Sequence, residues 1–303
     1  MIDARPTRTR VYQNHTIDST RWDGFEIRDN DIVIATPYKC GTTWMQGIVS
    51  CLVLGECRQG ASVWLDFRPE SLDDTRKKLS EQTHRRFIKT HLPLDGLPYH
   101  ENIKYIVVSR DVRDVFMSLW NHYGSYTDAA NEKFNNWPGR VGPPQPVCPT
   151  GIHDFWKMWI SRGWFEWESE GYPFWSNMRH VQTWWDQRHL ANLLFVHYNH
   201  LKSDPHGQVR RIAKFLDIEI TDDRIDDTVS ATTLDTMREA AVKREEGQDG
   251  PGMFENGAAT FFYKGTNNRW KDVLTEEDLL LYEAAAERNL SDSCRAWLET
   301  GEQ

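Results

Sequence analysis

Thr36-Pro37-Tyr38-Lys39-Cys40-Gly41-Thr42-Thr43-Trp44 is the stretch on which the fold turns. Before it, Asp31–Thr36 (DIVIAT) is an apolar run of strand length. After it, Thr43–Leu54 has helical length and apolar spacing, and Gly41 breaks the pattern between the two. A strand passing this abruptly into a helix aims free N–H groups and the positive helix end at one point, where an anion can sit. Gly41 lets the backbone approach closely, the threonines add hydroxyl donors, and Lys39 adds a full charge. The order of residues is not that of a Walker A loop, G-x-x-x-x-G-K-[ST], because Lys39 precedes Gly41. No strand-end aspartate stands out to hold magnesium, which weakens a nucleotide triphosphatase reading.

Outward from this loop, Phe87–Lys89, Lys104–Ser109 (KYIVVS) and Leu193–His197 (LLFVH) read as short buried strands. Helices are predicted from about Asp111 to Tyr123 and from Pro205 to Leu216. Apolar strands alternating with helices predict an α/β fold, with a central parallel sheet flanked by helices on both faces. In such sheets ligands bind beyond the carboxyl ends of the strands. The expectation is one domain over residues 1–303, with a core of about 28–290 and mobile loops at about 124–150 and 241–260. Both loops are rich in Gly and in Pro or Asn, and either a functional lid or an inert insertion fits them.

Hydrophobic residues are 39% and charged residues 27% of the 303, an ordinary globular balance. A net charge of −9 disfavours nucleic acid and anionic membranes as partners. An anionic ligand must then be held by a local cluster of positive groups. The five cysteines are odd in number and contain no C-x-x-C, which predicts neither a disulfide framework nor a thiolate metal cluster. The opening MIDARPTRTR precedes no apolar segment, and the apolar run Ile48–Leu54 is too short to span a bilayer. A soluble protein of a reducing, cytoplasmic compartment is expected. His197 and His200 lack a third ligand at metal spacing, so no metal is expected.

Several ordered motifs together resemble the cytosolic-type, 3′-phosphoadenosine 5′-phosphosulfate (PAPS)-dependent sulfotransferase family. Its phosphosulfate loop runs T-Y-P-K-S-G-T-T-W; here Tyr and Pro are exchanged and Cys40 takes the serine position. K-T-H-L-P stands at Lys89–Pro93, and Tyr105–Ser118 (YIVVSRDVRDVFMS) is similar to the family's 3′-phosphate element. Trp175, His180, Val181, Trp184 and Trp185 repeat W-x-x-x-x-H-V-x-x-W-W, and FVHYNHLKSDP places Tyr198 in a strand-end tyrosine element. Phe262-Tyr263-Lys264-Gly265 and Trp270-Lys271 resemble the carboxyl-terminal R-K-G…G-D-W-K element. The resemblance implies a P-loop-like fold and sulfonate transfer from PAPS to a hydroxyl, less readily an amine, of a small organic or glycolipid acceptor. It also implies that Lys39, Cys40, Gly41, Thr42 and Thr43 grip the 5′-phosphosulfate, while Trp44 stacks on adenine. Arg110, Ser118, Tyr198, Lys264 and Gly265 would complete the nucleotide site.

Elementary chemistry fits those assignments. Arg110 closes a buried strand just before a helix, and a guanidinium fixed there suits two-point recognition of phosphate. The competing reading pairs it with Asp111 or Asp114. Ser118 lies about two helical turns further on. His91, at a strand end, is the candidate general base, because an ordinary imidazole titrates near neutrality. Lys39 and Lys89 would stabilise charge developing on the bridging and sulfonate oxygens, without a metal.

Some positions depart from the family. Tyr263 stands where an arginine is usual, with Arg269 a candidate replacement. The dimer motif K-x-x-x-T-V-x-x-x-E keeps Lys271 and Thr275 but has Glu276 and Leu280 for its valine and glutamate, so a homodimer loses that route. Cys40, at a helix amino terminus beside Lys39, is expected to be a reactive thiol of lowered pKa. Residues 156–185 hold seven of the 14 tryptophans. Trp156, Trp159, Trp184 and Trp185 read as core, whereas other aromatics there and Phe116, Trp120 and Tyr123 read as core or acceptor pocket. Glu166, Glu168 and Glu170 read as a solvated face. Parts of 60–85, 124–150 and 241–260 are expected to shape the acceptor site. Two rivals stay open: a small-molecule kinase, and an idle binder of 3′,5′-bisphosphoadenosine (PAP).

Overall fold

The structure is a computed structural model describing residues 5–58, 61–246 and 252–302. In chain order its elements are β1 (Ile32–Ala35), α1 (Thr42–Leu54), β2 (Val63–Trp64), α2 (Leu72–Ser80), β3 (Phe87–Thr90), β4 (Lys104–Ser109), α3 (Val112–Tyr123), α4 (Asp128–Asn135), α5 (Ile152–Ser161) and α6 (Asn177–Trp185). There follow β5 (Leu193–His197), α7 (Tyr198–Ser203), α8 (Pro205–Phe215), α9 (Asp222–Ala231), α10 (Leu234–Glu245), α11 (Ala258–Phe261), α12 (Glu276–Asn289) and α13 (Asp292–Thr300).

The five strands form one parallel sheet in the order β2-β3-β1-β4-β5. Side chains alternate across a strand, so Ile32 and Ile34 pack with α1, α8 and α9 on one face. Val33 and Ala35 pack on the other with α3, α5, α6, α12 and α13. All four residues of β1 are fully buried, which is why the strand reads as a continuous apolar run. Trp156, Trp159, Trp184 and Trp185 are core residues, as expected. Among the described residues no helix is long and apolar enough to cross a membrane.

Two expectations are corrected. Cys51 and Cys57 form a disulfide: Gly55 (φ 75°) ends α1 in the left-handed region and turns the chain back until their Cα atoms are 4.3 Å apart. Cysteine usage therefore no longer argues for a reducing compartment. Within 124–150 the chain forms α4, and α10 and α11 reach into 241–260, of which residues 247–251 lie outside the described residues. Glu166 is exposed, but Glu168 and Glu170 are buried. They accept from the amides of Ser176 (3.0 Å) and Met178 (3.0 Å) at the start of α6, a helix end that welcomes negative charge. Burial pushes Glu168 up to about 8 and Glu170 up to about 7. Of the two readings open for Phe116, Trp120 and Tyr123, the structure has the core one: Phe116 and Tyr123 point into the core and Trp120 packs against it, so α3 offers a different face to the cavity.

At the base of the sheet, Asp31 and Arg86 form a buried pair, with Nε 2.9 Å from Oδ1 and the Arg28 amide 2.9 Å from Oδ2. Asp31→Ala would strand the Arg86 charge and is expected to cost about 3–5 kcal/mol in a urea unfolding experiment. A loss under about 1 kcal/mol would contradict this role.

Candidate active site

Every strand delivers a side chain to one cavity of about 540 Å³ at the carboxyl edge of the sheet: Trp64 from β2, Lys89 and His91 from β3, the Thr36–Trp44 loop from β1, Arg110 from β4 and Tyr198 from β5. Register explains the convergence. Ala35 lies opposite Thr90 on one side and Val107 on the other, so Thr36 and His91 leave the sheet side by side. Ser109 lies opposite His197, which sets Arg110 beside Tyr198. The Arg110 guanidinium carbon sits 4.2 Å from the centre of the Tyr198 ring.

In the loop, Lys39 (φ 64°) and Gly41 (φ 99°) are both left-handed, the kind of alternation that gathers N–H groups into a concave anion nest. Glycine is required at 41 twice over, because a Cβ there would also lie 3.0 Å from the Tyr198 ring. Thr36 and Thr42 tie the loop ends together through their hydroxyls at 2.6 Å. Lys39, Gly41, Thr42, Thr43 and Trp44 all line the cavity.

The charge balance is one-sided. Burial, then Arg110 and Lys89, pushes the Lys39 ammonium down to about 7. Burial likewise lowers Lys89 to about 8 against the pull of Asp66 and Glu70. Arg110 has only neutral hydrogen-bond partners among the described residues, Asn267 Oδ1 at 2.8 Å and the Thr266 carbonyl at 2.8 Å. Asp111, its expected rival partner, is turned to Arg113 at 2.7 Å. Among the described residues none of these three cations makes an ion pair and no Asp or Glu lines the cavity, an arrangement that fits a multiply charged anion between them.

His91 is 6% exposed, and its Nδ1 lies 2.7 Å from the Thr36 carbonyl. That oxygen can only accept, so Nδ1 carries the proton and Nε2 keeps its lone pair. Burial, then the Lys89 charge, holds the imidazole well below its ordinary pKa, and it stays neutral at neutral pH.

Ser118, Tyr198, Lys264 and Gly265 also line the cavity. Tyr198 Oη and Lys202 Nζ both donate to the Gly265 carbonyl, at 3.2 and 2.9 Å, which ties the carboxyl-terminal element to α7. Trp44 meets the Tyr198 ring edge to face at 5.6 Å. Tyr263 is exposed, and the Arg269 guanidinium lies 4.9 Å from its ring and lines the cavity. The three segments expected to shape the acceptor side each contribute, through Trp64 and Phe67, Tyr126 and Phe134, and Phe254.

His122 was missed by sequence reasoning. It lines the cavity with Nδ1 3.1 Å from Lys39 Nζ. Its position four residues after Ser118, one helical turn along the same face, was the available signal.

Cys40 is corrected too. Its side chain turns inward, fully buried, with Sγ 3.6 Å from the Tyr38 carbonyl and 3.9 Å from Asn177 Nδ2. Burial outweighs Arg110 and pushes the thiol up to about 12. Iodoacetamide is therefore expected to leave Cys40 unmodified in the native protein and to label it only after unfolding. Native labelling at this position in a peptide map would refute the burial.

Residues 29–294 match the sulfotransferase domain family. The chain is 32% identical over 312 residues to a glycolipid sulfotransferase of Mycobacterium bovis (strain BCG / Pasteur 1173P2), covering 96% of this chain and 94% of that protein. It is 25% identical over 275 residues to sulfotransferase 1A1 of Rattus norvegicus, covering 87% and 85%. Among solved structures, mouse sulfotransferase SULT7A1 complexed with PAP superposes with a TM-score of 0.68 at 20% identity, covering 91% of this chain and 90% of that one. The strand-loop-helix, the cation cluster and the whole-length match lead to one identity: the chain belongs to the sulfotransferase family and is a sulfotransferase.

Proposed function

We propose that this sulfotransferase moves the sulfonate group of PAPS to a hydroxyl of a small organic or glycolipid acceptor, with His91 as general base. The observation that carries this reading is the meeting of Lys39, Lys89 and Arg110 with the His91 lone pair in one cavity. The PAP held by the mouse structural neighbour supports PAPS as co-substrate, and the mycobacterial relative's name supports a glycolipid among the acceptors.

Bound PAPS supplies a sulfonate whose sulfur gains a bond to the acceptor oxygen as its bond to the 5′-phosphate oxygen breaks. Lys39 and the amides of Cys40 to Thr43 hold the phosphosulfate end. Arg110, Ser118 and the Lys264-Gly265 element hold the 3′-phosphate, with Arg269 standing in for the arginine that Tyr263 replaces. Trp44 and Tyr198 face the adenosine. Lys39 and Lys89 stabilise charge growing on the departing oxygen, and a low-dielectric cavity strengthens that interaction. His91 Nε2 removes the proton from the acceptor hydroxyl as it attacks.

His91→Ala is expected to lower kcat by about 10²–10⁴-fold while leaving PAP affinity near that of the native enzyme. Unchanged turnover would remove His91 from the base role. The pH dependence separates the parts. A base with a depressed pKa loses activity only as pH falls through that lowered value, so the acid limb of kcat/KM for PAPS, which reports the free enzyme, lies below pH 6.5. Anion binding needs Lys39 and Lys89 charged, and their folded values are lowered to about 7 and about 8. PAP affinity, by isothermal calorimetry, is therefore greatest below about pH 7 and weakens above it, by up to about tenfold per unit for each proton taken up on binding. Flat affinity between about pH 6 and about pH 9 would contradict this.

A further inference from the structure

The acceptor side of the cavity is walled by rings in unbroken contact. From His91 the circuit runs through Trp64 (4.8 Å between ring centres), Phe67 (4.4 Å), Phe134 (6.5 Å) and Tyr126 (5.6 Å) to His122 (5.2 Å). His122 then returns to the sulfonate-side machinery through Lys39 Nζ at 3.1 Å. The wall is apolar apart from its two ends, His91 and the His122–Tyr126 pair.

The hydrogen-bond directions in that pair follow from the donors available. With an anionic nucleotide beside it, Lys39 is an ammonium and can only donate, so His122 Nδ1 accepts. A neutral imidazole then carries its proton on Nε2, which lies 3.1 Å from Tyr126 Oη. The tyrosine oxygen accepts that bond, and its own proton has no protein acceptor among the described residues. Tyr126 is held firmly: its ring stacks on Phe134, and its backbone bridges to Phe254, which also lines the cavity. A hydroxyl donor is thus fixed in the acceptor wall without a partner, and an unmade bond at such a site is filled by ligand or water.

We propose that Tyr126, oriented by His122, is a specificity-determining residue that donates a hydrogen bond to a second oxygen on the acceptor. This rests on the reading of the cavity as a site of sulfonate transfer to hydroxyls. The preferred substrates are then alcohols or phenols carrying a further ether, hydroxyl or carbonyl oxygen, a class that includes sugar hydroxyls, and not simple hydrocarbons with one hydroxyl.

Matched probes test this. Ortho, meta and para methoxyphenols differ from the corresponding ethylphenols by one oxygen in place of a methylene, at nearly constant shape. Each is titrated into the PAP-saturated enzyme, where no transfer occurs, and each is assayed separately with PAPS. At least one methoxyphenol is expected to bind about three- to tenfold more tightly than its ethyl counterpart, the range of a single neutral hydrogen bond. Tyr126→Phe should bring that ratio to about one, and His122→Phe, which removes the orienting bond but keeps the hydroxyl, should reduce it. A ratio near one in the native enzyme, a ratio that survives Tyr126→Phe, or no measurable binding of either series overturns the proposal. The PAPS arm keeps the two readings apart. A binding preference without transfer to any phenol counts against the transfer chemistry alone, whereas transfer without preference counts against Tyr126 alone.

Discussion

The pairing of β1 between β3 and β4 is the constraint from which the rest of the site follows. Paired parallel strands run in one direction, so Thr36 and His91 leave the sheet side by side, and Arg110 leaves at the same carboxyl edge where β4 runs two residues further. The Nδ1 bond from His91 to the Thr36 carbonyl is a direct consequence, because it joins the first residues beyond two paired strands. That one bond selects the imidazole tautomer. A slip of one residue would send His91 to the opposite face and leave the loop without its neighbour.

The same convergence has an electrostatic cost. Lys39, Lys89 and Arg110 repel one another in a partly dry cavity, and their neighbours are mostly amides, carbonyls and rings. A fold tolerates such a cluster because the strands are held elsewhere, by the two apolar layers and by the Asp31–Arg86 pair beneath the sheet. An anion entering the cavity relieves the repulsion, and binding energy is released where charge must later be stabilised. The depressed lysines and the neutral imidazole are thus two results of one arrangement, because burial disfavours charge on Lys39, Lys89 and His91 alike.

How much of this was legible in the sequence depends on whether the signal was local. The strand runs DIVIAT and KYIVVS, the loop with its lysine and glycine, and His91 at a strand end were readable because each is set by neighbours along the chain. Cys40 was misread for the opposite reason. A helix amino terminus and a nearby lysine both favour a thiolate, but full burial outweighs them, and burial is not a property of the loop. Glu168 and Glu170 show the same failure, since alternating carboxylates look solvated until α6 presents its free amides to them. The Cys51–Cys57 link escaped because counting cysteines says nothing of the left-handed turn at Gly55 that brings them together.

By itself, then, the sequence determined the strand-loop-helix for an anion, the α/β layering and the family, because periodicity and short motifs are encoded within a few residues of one another. Tertiary structure alone decided which face of α3 meets the cavity, and so that His122 rather than Phe116 or Tyr123 approaches Lys39. It also closed the ring of aromatic side chains drawn from segments far apart in the chain. Distances between such segments depend on packing and on sheet register, which no local pattern specifies.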